Sequence, residues 1–297
     1  MKSVERFVTN DFTVRIAAVD ATDVVKEMQA LQQTMPLATL GVGRAMVGAL
    51  LMASQLKEGQ EVGILLKGNG PIGTIYAEAS FDGSVRGYSP NPSYQAPEQV
   101  DAVNLSKAMG FGTLTVARHQ PFQRQPFNGT VEMVSGEVGD DIAHYLHQSH
   151  QIRSIVSLGV YLDTFGQVKS AGGVIIEVMP GVEDDVINKI EKNVETHAIS
   201  VSKILLEGGT PEDLVKPYLE GIPFTRLPHD HPMRYHCPCT IDRVKRALTT
   251  LGVEGLQEMI DDNKPADITC EVCGRKYQLS IEELSDLREE LRKSQMH

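Results

Sequence analysis

Cys237-Pro238-Cys239, then thirty residues, then Cys270-Glu271-Val272-Cys273-Gly274: the reading of this stretch decides how the chain is built. It holds all four cysteines of the 297 residues, and the 236 residues before it hold none. Two close pairs, each on a tight turn, can converge on one tetrahedral ion. Zinc accepts four thiolates at about 2.3 Å in closed sites, so Cys237, Cys239, Cys270 and Cys273 are the expected ligands of one zinc per chain. Gly274 suits the knuckle turn at the second pair. The spacing alone leaves three readings open: a purely structural zinc ribbon, a redox switch, or metal-free disulfides. Thiolates are also the form that oxidants attack, so such a site couples redox state to order.

The module around the cysteines has about 65 residues and few large apolar groups. A core that small seldom stabilises itself without a staple. Structural zinc supplies roughly 10–16 kcal/mol of apparent binding energy that is also folding energy. Just upstream, Gly221–Pro232 carries three prolines and two histidines and reads as a boundary. Before it, residues 182–220 read as helices, with Val186, Ile190 and Val194 forming an apolar stripe at i, i+4, i+8. Residues 179–230 hold 10 Asp/Glu against 5 Lys/Arg, as a charged amphipathic connector would.

Further toward the N-terminus the pattern is mixed. Residues 12–19 alternate as a strand, Val24, Val25, Met28 and Leu31 have helical spacing, and a second helix is expected over Thr39–Lys57. Gly41, Gly43 and Gly48 give that helix a small face suited to close packing. Strands are expected at Val62–Lys67, Thr74–Ser80, Gly112–Arg118, Gly129–Ser135, Ser154–Asp163 and Gly172–Val178, with a helix at Asp140–His150. Strands and helices do not alternate regularly, so the fold class is α+β. The expected organisation is an N-terminal α+β domain over 1–178, a helical linker over 179–231 and a zinc-binding module over 232–297.

Composition narrows the function. The net charge of −11 disfavours nucleic acid and anionic membranes as partners. The apolar run Ala45–Ala53 is far short of the ~20 residues of a membrane span. The first ten residues lack a signal-peptide pattern, so the expectation is a cytosolic chain with reduced thiols. Three function classes compete: a redox-gated binding protein, a zinc-ribbon nucleic-acid module, and a thiol oxidoreductase using Cys270-x-x-Cys273. Residues 233–297 carry 10 Lys/Arg against 12 Asp/Glu, which opposes phosphate-backbone binding. The flanks of Cys270 do not show the βαβ context of a redox enzyme.

Other motifs are read as ordinary structure. Gly68-x-Gly70-x-x-Gly73 contains Pro71 and precedes a strand, so it reads as a hairpin turn and not a nucleotide loop. His144, His147 and His150 read as surface histidines. His229, His231 and His236 lie near the cysteines in sequence, and His236 is a candidate for tuning a thiolate.

The whole chain resembles the bacterial thirty-three-kilodalton heat-shock protein family, the redox-regulated holdase chaperones. The resemblance rests on the four cysteines at their spacing, on His236 and on Arg243–Leu248 beyond them. Gly68-Asn69-Gly70-Pro71-Ile72-Gly73 and the segment from Ala171-Gly172-Gly173 to Met179-Pro180-Gly181 carry it further. It implies a non-enzymatic, ATP-independent chaperone, off when reduced and zinc-bound. Disulfides Cys237–Cys239 and Cys270–Cys273 would then form on oxidation, with zinc loss, unfolding of the module and loosening of the connector. The implied partners are unfolded client proteins, and the implied active form is a homodimer.

Overall fold

The computed structural model describes residues 2–95, 104–123, 125–182, 184–197, 199–229 and 231–294. The chain divides into two compact units, Met1–His236 and Cys237–His297.

Unit 1 begins with β1 (Glu5–Thr9), β2 (Val14–Asp20), α1 (Thr22–Gln32) and α2 (Pro36–Ala53). It continues through β3 (Glu61–Gly68), β4 (Thr74–Ser80), β5 (Ser84–Tyr88), α3 (Leu105–Met109), β6 (Gly112–His119) and β7 (Phe127–Glu132). Next come α4 (Val138–His150), β8 (Arg153–Leu162), β9 (Val168–Val178), α5 (Asp184–Thr196), α6 (Val201–Leu206) and α7 (Pro211–Val215). Two short strands close it, β10 (Phe224–Leu227) and β11 (Arg234–Tyr235). They form two sheets, β10-β1-β2-β9-β8 and β11-β5-β4-β3-β6-β7. All pairings are antiparallel except β11 with β5.

The main core lies between the sheets and is threaded by α2. This helix is long and apolar enough by composition to cross a membrane, yet 89% of it is buried inside the fold. A helix apolar on all sides is what a position between two sheets demands. Its glycines allow the contact: a Cβ on Gly41 would meet Ile75 at 2.4 Å, and one on Gly48 would meet Ile142 at 2.5 Å. The helix starts at Pro36, three residues before the expected Thr39, because proline is favoured in a first turn.

Strand β2 is buried on both faces. Ala17 and Val19 enter the main core, while Val14, Ile16 and Ala18 face a second core under α5, α6 and α7. The helices expected over 182–220 are therefore packed on the outer face of the five-stranded sheet. The apolar stripe divides: Ile190 is buried, Val186 is half-buried against that core, and Val194 is 38% exposed. Asn193 takes the inward position beside Val194, donating to the Tyr218 and Glu220 carbonyls at 2.9 and 3.1 Å.

The Gly68–Gly73 segment joins β3 to β4 as a hairpin, with the Gly68 amide donating to the Gly73 carbonyl at 2.7 Å. A Cβ on Gly68 would stand 2.0 Å from the Met109 carbonyl oxygen, so only glycine fits there. Gly221–Pro232, expected as a bare boundary, contains β10, which pairs with β1 from Arg6↔Leu227 to Thr9↔Phe224.

Unit 2 consists of α8 (Ile241–Leu248), a short turn of 3-10 helix (Thr249–Leu251), α9 (Gly252–Asp261), the hairpin β12 (Ala266–Thr269) and β13 (Lys276–Leu279), and α10 (Ile281–Ser294). Its core has six buried residues: Leu248, Leu256, Ala266, Leu279, Leu284 and Leu287.

Candidate metal centre

The second cysteine pair sits at the tip of the β12–β13 hairpin. The Cys270 amide donates to the Arg275 carbonyl at 2.9 Å, and the Gly274 amide donates to the Cys270 carbonyl at 2.8 Å. Gly274 has a φ of 68°, the left-handed conformation that closes the knuckle and that glycine adopts without a Cβ penalty. The first pair precedes α8. Thr240 caps that helix by accepting from the Arg243 amide at 3.3 Å. The Arg243 guanidinium returns to the Pro238 carbonyl at 3.1 Å, which ties the Cys-Pro-Cys turn to the helix.

These turns bring the four sulfurs within 4.8 Å of one another, and no disulfide joins them. Cys237 Sγ lies 3.8 Å from Cys270 Sγ, and Cys239 Sγ lies 3.3 Å from Cys273 Sγ. Ligands 2.3 Å from a tetrahedral centre are about 3.8 Å apart, so the donor set and its span fit zinc. Among the described residues this is the single grouping of three or more Cys, His, Asp or Glu able to hold a metal ion.

The thiols are not equivalent. Burial pushes Cys273 up, and the neighbouring sulfurs add to that. Burial opposes ionisation of Cys239 too, but Tyr277 and the other three thiols outweigh it and bring Cys239 down to about 7. The Tyr277 hydroxyl is buried beside Cys239. Sequence reasoning missed Tyr277. The period-two pattern of 276–279 beside Cys273 was the available signal, since a strand leaving a knuckle turn returns alternate side chains past the sulfurs.

His229, His231 and His150 have other partners. His229 and His231 meet edge to face at 4.9 Å, and His231 lies tilted against Phe81 at 4.4 Å. The His236 amide donates to the Val85 carbonyl at 2.9 Å. His150 pairs with the Tyr145 hydroxyl at 3.2 Å.

With this geometry in place, comparison with known proteins is consistent along the whole chain. A family model described as "Hsp33 protein" matches residues 3–280. The 33 kDa chaperonin of Limosilactobacillus fermentum is 39% identical over 277 residues, covering 92% of this chain and 94% of that one. The 33 kDa chaperonin of Bacillus subtilis is 37% identical over 283 residues, covering 94% and 96%. The crystal structure of the 33 kDa chaperonin of Thermotoga maritima superposes with a TM-score of 0.88 at 30% identity, covering 98% of both chains.

Proposed function

This chain belongs to the Hsp33 family of chaperones, and from that premise we propose that it is an ATP-independent holdase gated by the redox state of its four cysteines. The observation that carries the reading is the gathering of four thiols within 4.8 Å in a unit whose core, among the described residues, has six buried members. In the reduced state Cys237, Cys239, Cys270 and Cys273 would hold zinc, which supplies the charge neutralisation that lets four thiolates share one small volume. A unit so weakly cored folds because its thiolates are held together.

Oxidation pairs Cys237 with Cys239 and Cys270 with Cys273. Each pair of thiolates gives up two electrons to one hydrogen peroxide molecule, which takes two protons from solvent and leaves as two waters. The disulfide sulfurs no longer carry the thiolate charge that retains a cation, so unit 2 loses its staple and unfolds. Residues 179–231 then act as the mobile linker between an N-terminal domain over 1–178 and the switch module over 232–297. Their release uncovers the sheet face formed by Phe7, Val14, Ile16, Val174 and Ile176, an apolar surface for unfolding clients. The chaperone acts in the cytoplasm, as a dimer when active, by binding and without catalysis. The test is light scattering of an aggregating protein, with this chain reduced and then treated with peroxide at mild heat. Suppression only after oxidation, with zinc released in step, supports the proposal. Equal suppression in both states overturns the gating.

A further inference from the structure

A cavity of about 250 Å³ lies at the edge of the five-stranded sheet, between α4 and α5. Strand β8 is the last in that sheet. Ile155 on β8 pairs with Ile176 on β9, and Arg153 pairs with Val178, so all four share one face. Ala143 and His147 line the cavity from α4, one turn apart. Ile187, Ile190 and Glu191 line it from α5, at spacings that put them on one side of that helix.

A second chamber, of about 280 Å³, shares Arg153, Val178 and Ile187 with the first, and Gln151 and residues 179–182 supply the rest of its lining. The two chambers differ in chemistry. The first is mostly apolar, with Ala143, Ile155, Ile176, Val178, Ile187 and Ile190 in its lining. Its charged groups are Arg153 and Glu191. Among the described residues lining the second chamber, Arg153 alone carries a charge. An apolar chamber therefore opens, past one guanidinium, into a chamber whose only formal charge is positive. Ligand sites are commonly built this way, from apolar walls and a few polar groups that fix orientation.

We propose that the two chambers bind one medium-chain fatty acid, its alkyl chain in the first and its carboxylate against Arg153 in the second. A guanidinium fork matches a carboxylate in pairs of bonds, and its five N–H donors can serve a ligand beside a protein partner. Glu191 lines the apolar chamber only, so it repels a carboxylate from that end and fixes the direction of the chain. An apolar cavity of roughly 150 Å³ accommodates six ring carbons, so the first chamber suits a chain of about eight to ten carbons. Three of the lining residues belong to α5, so the ligand is held only while α5 is packed on the sheet. Occupancy thereby favours the packed connector.

The test is calorimetric titration of the reduced full-length chain with octanoate below its micelle concentration, against hexanoate, octanol and octylamine. One octanoate per chain is expected to bind saturably. Hexanoate should bind about fifteenfold more weakly, since each buried methylene is worth about fourfold. Octylamine should be weaker than octanoate by about tenfold or more. Arg153→Gln should weaken octanoate by about tenfold and leave octanol unchanged, which a general loss of structure would not do. Arg153→Lys keeps the charge without the fork and should fall between wild type and Arg153→Gln. Ala143→Leu fills the apolar chamber and should weaken octanoate and octanol alike. Arg153 is exposed, so its variants keep the test open if Ala143→Leu does not fold. Hydrogen exchange of α5 amides in the reduced chain should slow at saturating octanoate. Absence of saturable binding, several equivalent molecules per chain or octylamine matching octanoate overturns the proposal. So does wild-type octanoate affinity in folded Ala143→Leu, or α5 exchange unchanged at saturation.

Discussion

Asp141 shows how a single side chain links the fold to pH. It is fully buried, and its Oδ1 accepts from the Val134 and Ser135 amides at 2.7 and 3.2 Å. Its Oδ2 has no partner. Burial raises its pKa despite those two bonds. The native state therefore binds this proton more tightly than the unfolded chain does. The stabilisation is complete below the ordinary carboxylate range and is lost as pH rises through the folded value. Asp141→Asn keeps an acceptor for both amides and removes the charge. The variant's Tm relative to wild type is expected to be more favourable at pH 7.5 than at pH 5. A difference that is flat or reversed across that range refutes the assignment. The cysteines give a second residue-scale test. If the four clustered cysteines fill a closed zinc site, as proposed, replacing any two of them by serine should abolish stoichiometric zinc in the purified reduced protein, measured by elemental analysis with thiol titration. A full complement of metal in such a variant contradicts the four-thiolate site.

Among the elements, α5, α6 and α7 keep the outer face of the five-stranded sheet covered. Thr210 and Asp213 form a reciprocal capping box at the start of α7, and Leu214 and Val215 behind it are buried. Thr210→Ala should cost about 1 kcal/mol, and Ile190→Ala in α5 about 2–5 kcal/mol, both read by denaturant unfolding of the reduced chain. On the proposed mechanism both variants should also suppress aggregation at lower oxidant doses than wild type. The long periodic elements were legible in the sequence. Thr74–Ser80 coincides with β4 to the residue, and the helix expected at Asp140–His150 is α4 begun two residues early. The short ones were not. β10 and β11 have four residues or fewer, and their strand character comes from partners far along the chain, such as Phe7 opposite Arg226 and Tyr235 opposite Val85. Phe12, at the start of the strand expected over 12–19, sits instead in the β1–β2 turn at φ 60° and is 73% exposed, because the turn must close before β2 starts at Val14. The clustering of the four cysteines was legible for a different reason: metal-type spacing is written in local sequence, whereas the placement of Tyr277 beside Cys239 depends on how the hairpin returns.

For the whole molecule, the question is which part inhibits and which part binds. The chain divides after His236, and the residues just before that point anchor unit 1. The Met233 amide donates to the Lys2 carbonyl at 2.9 Å, Tyr235 pairs with Val85, and the His236 amide also reaches the Val85 carbonyl. A truncation after His236 therefore keeps β11 in its sheet, whereas one at Pro232 would strip an edge strand and the tether on the N-terminus. If folding of unit 2 biases the connector toward its packed position, deleting unit 2 removes that bias and nothing else. The truncated chain should then suppress aggregation of a test protein at equal chain concentration with reductant present, where the full chain does not. Circular dichroism and hydrogen exchange supply the control, since the β2, β3 and β9 amides should stay protected after the cut. A truncated chain that is folded by both measures yet inactive with and without reductant would show that unit 2 contributes binding surface directly, and the inhibitory role proposed for it would fall.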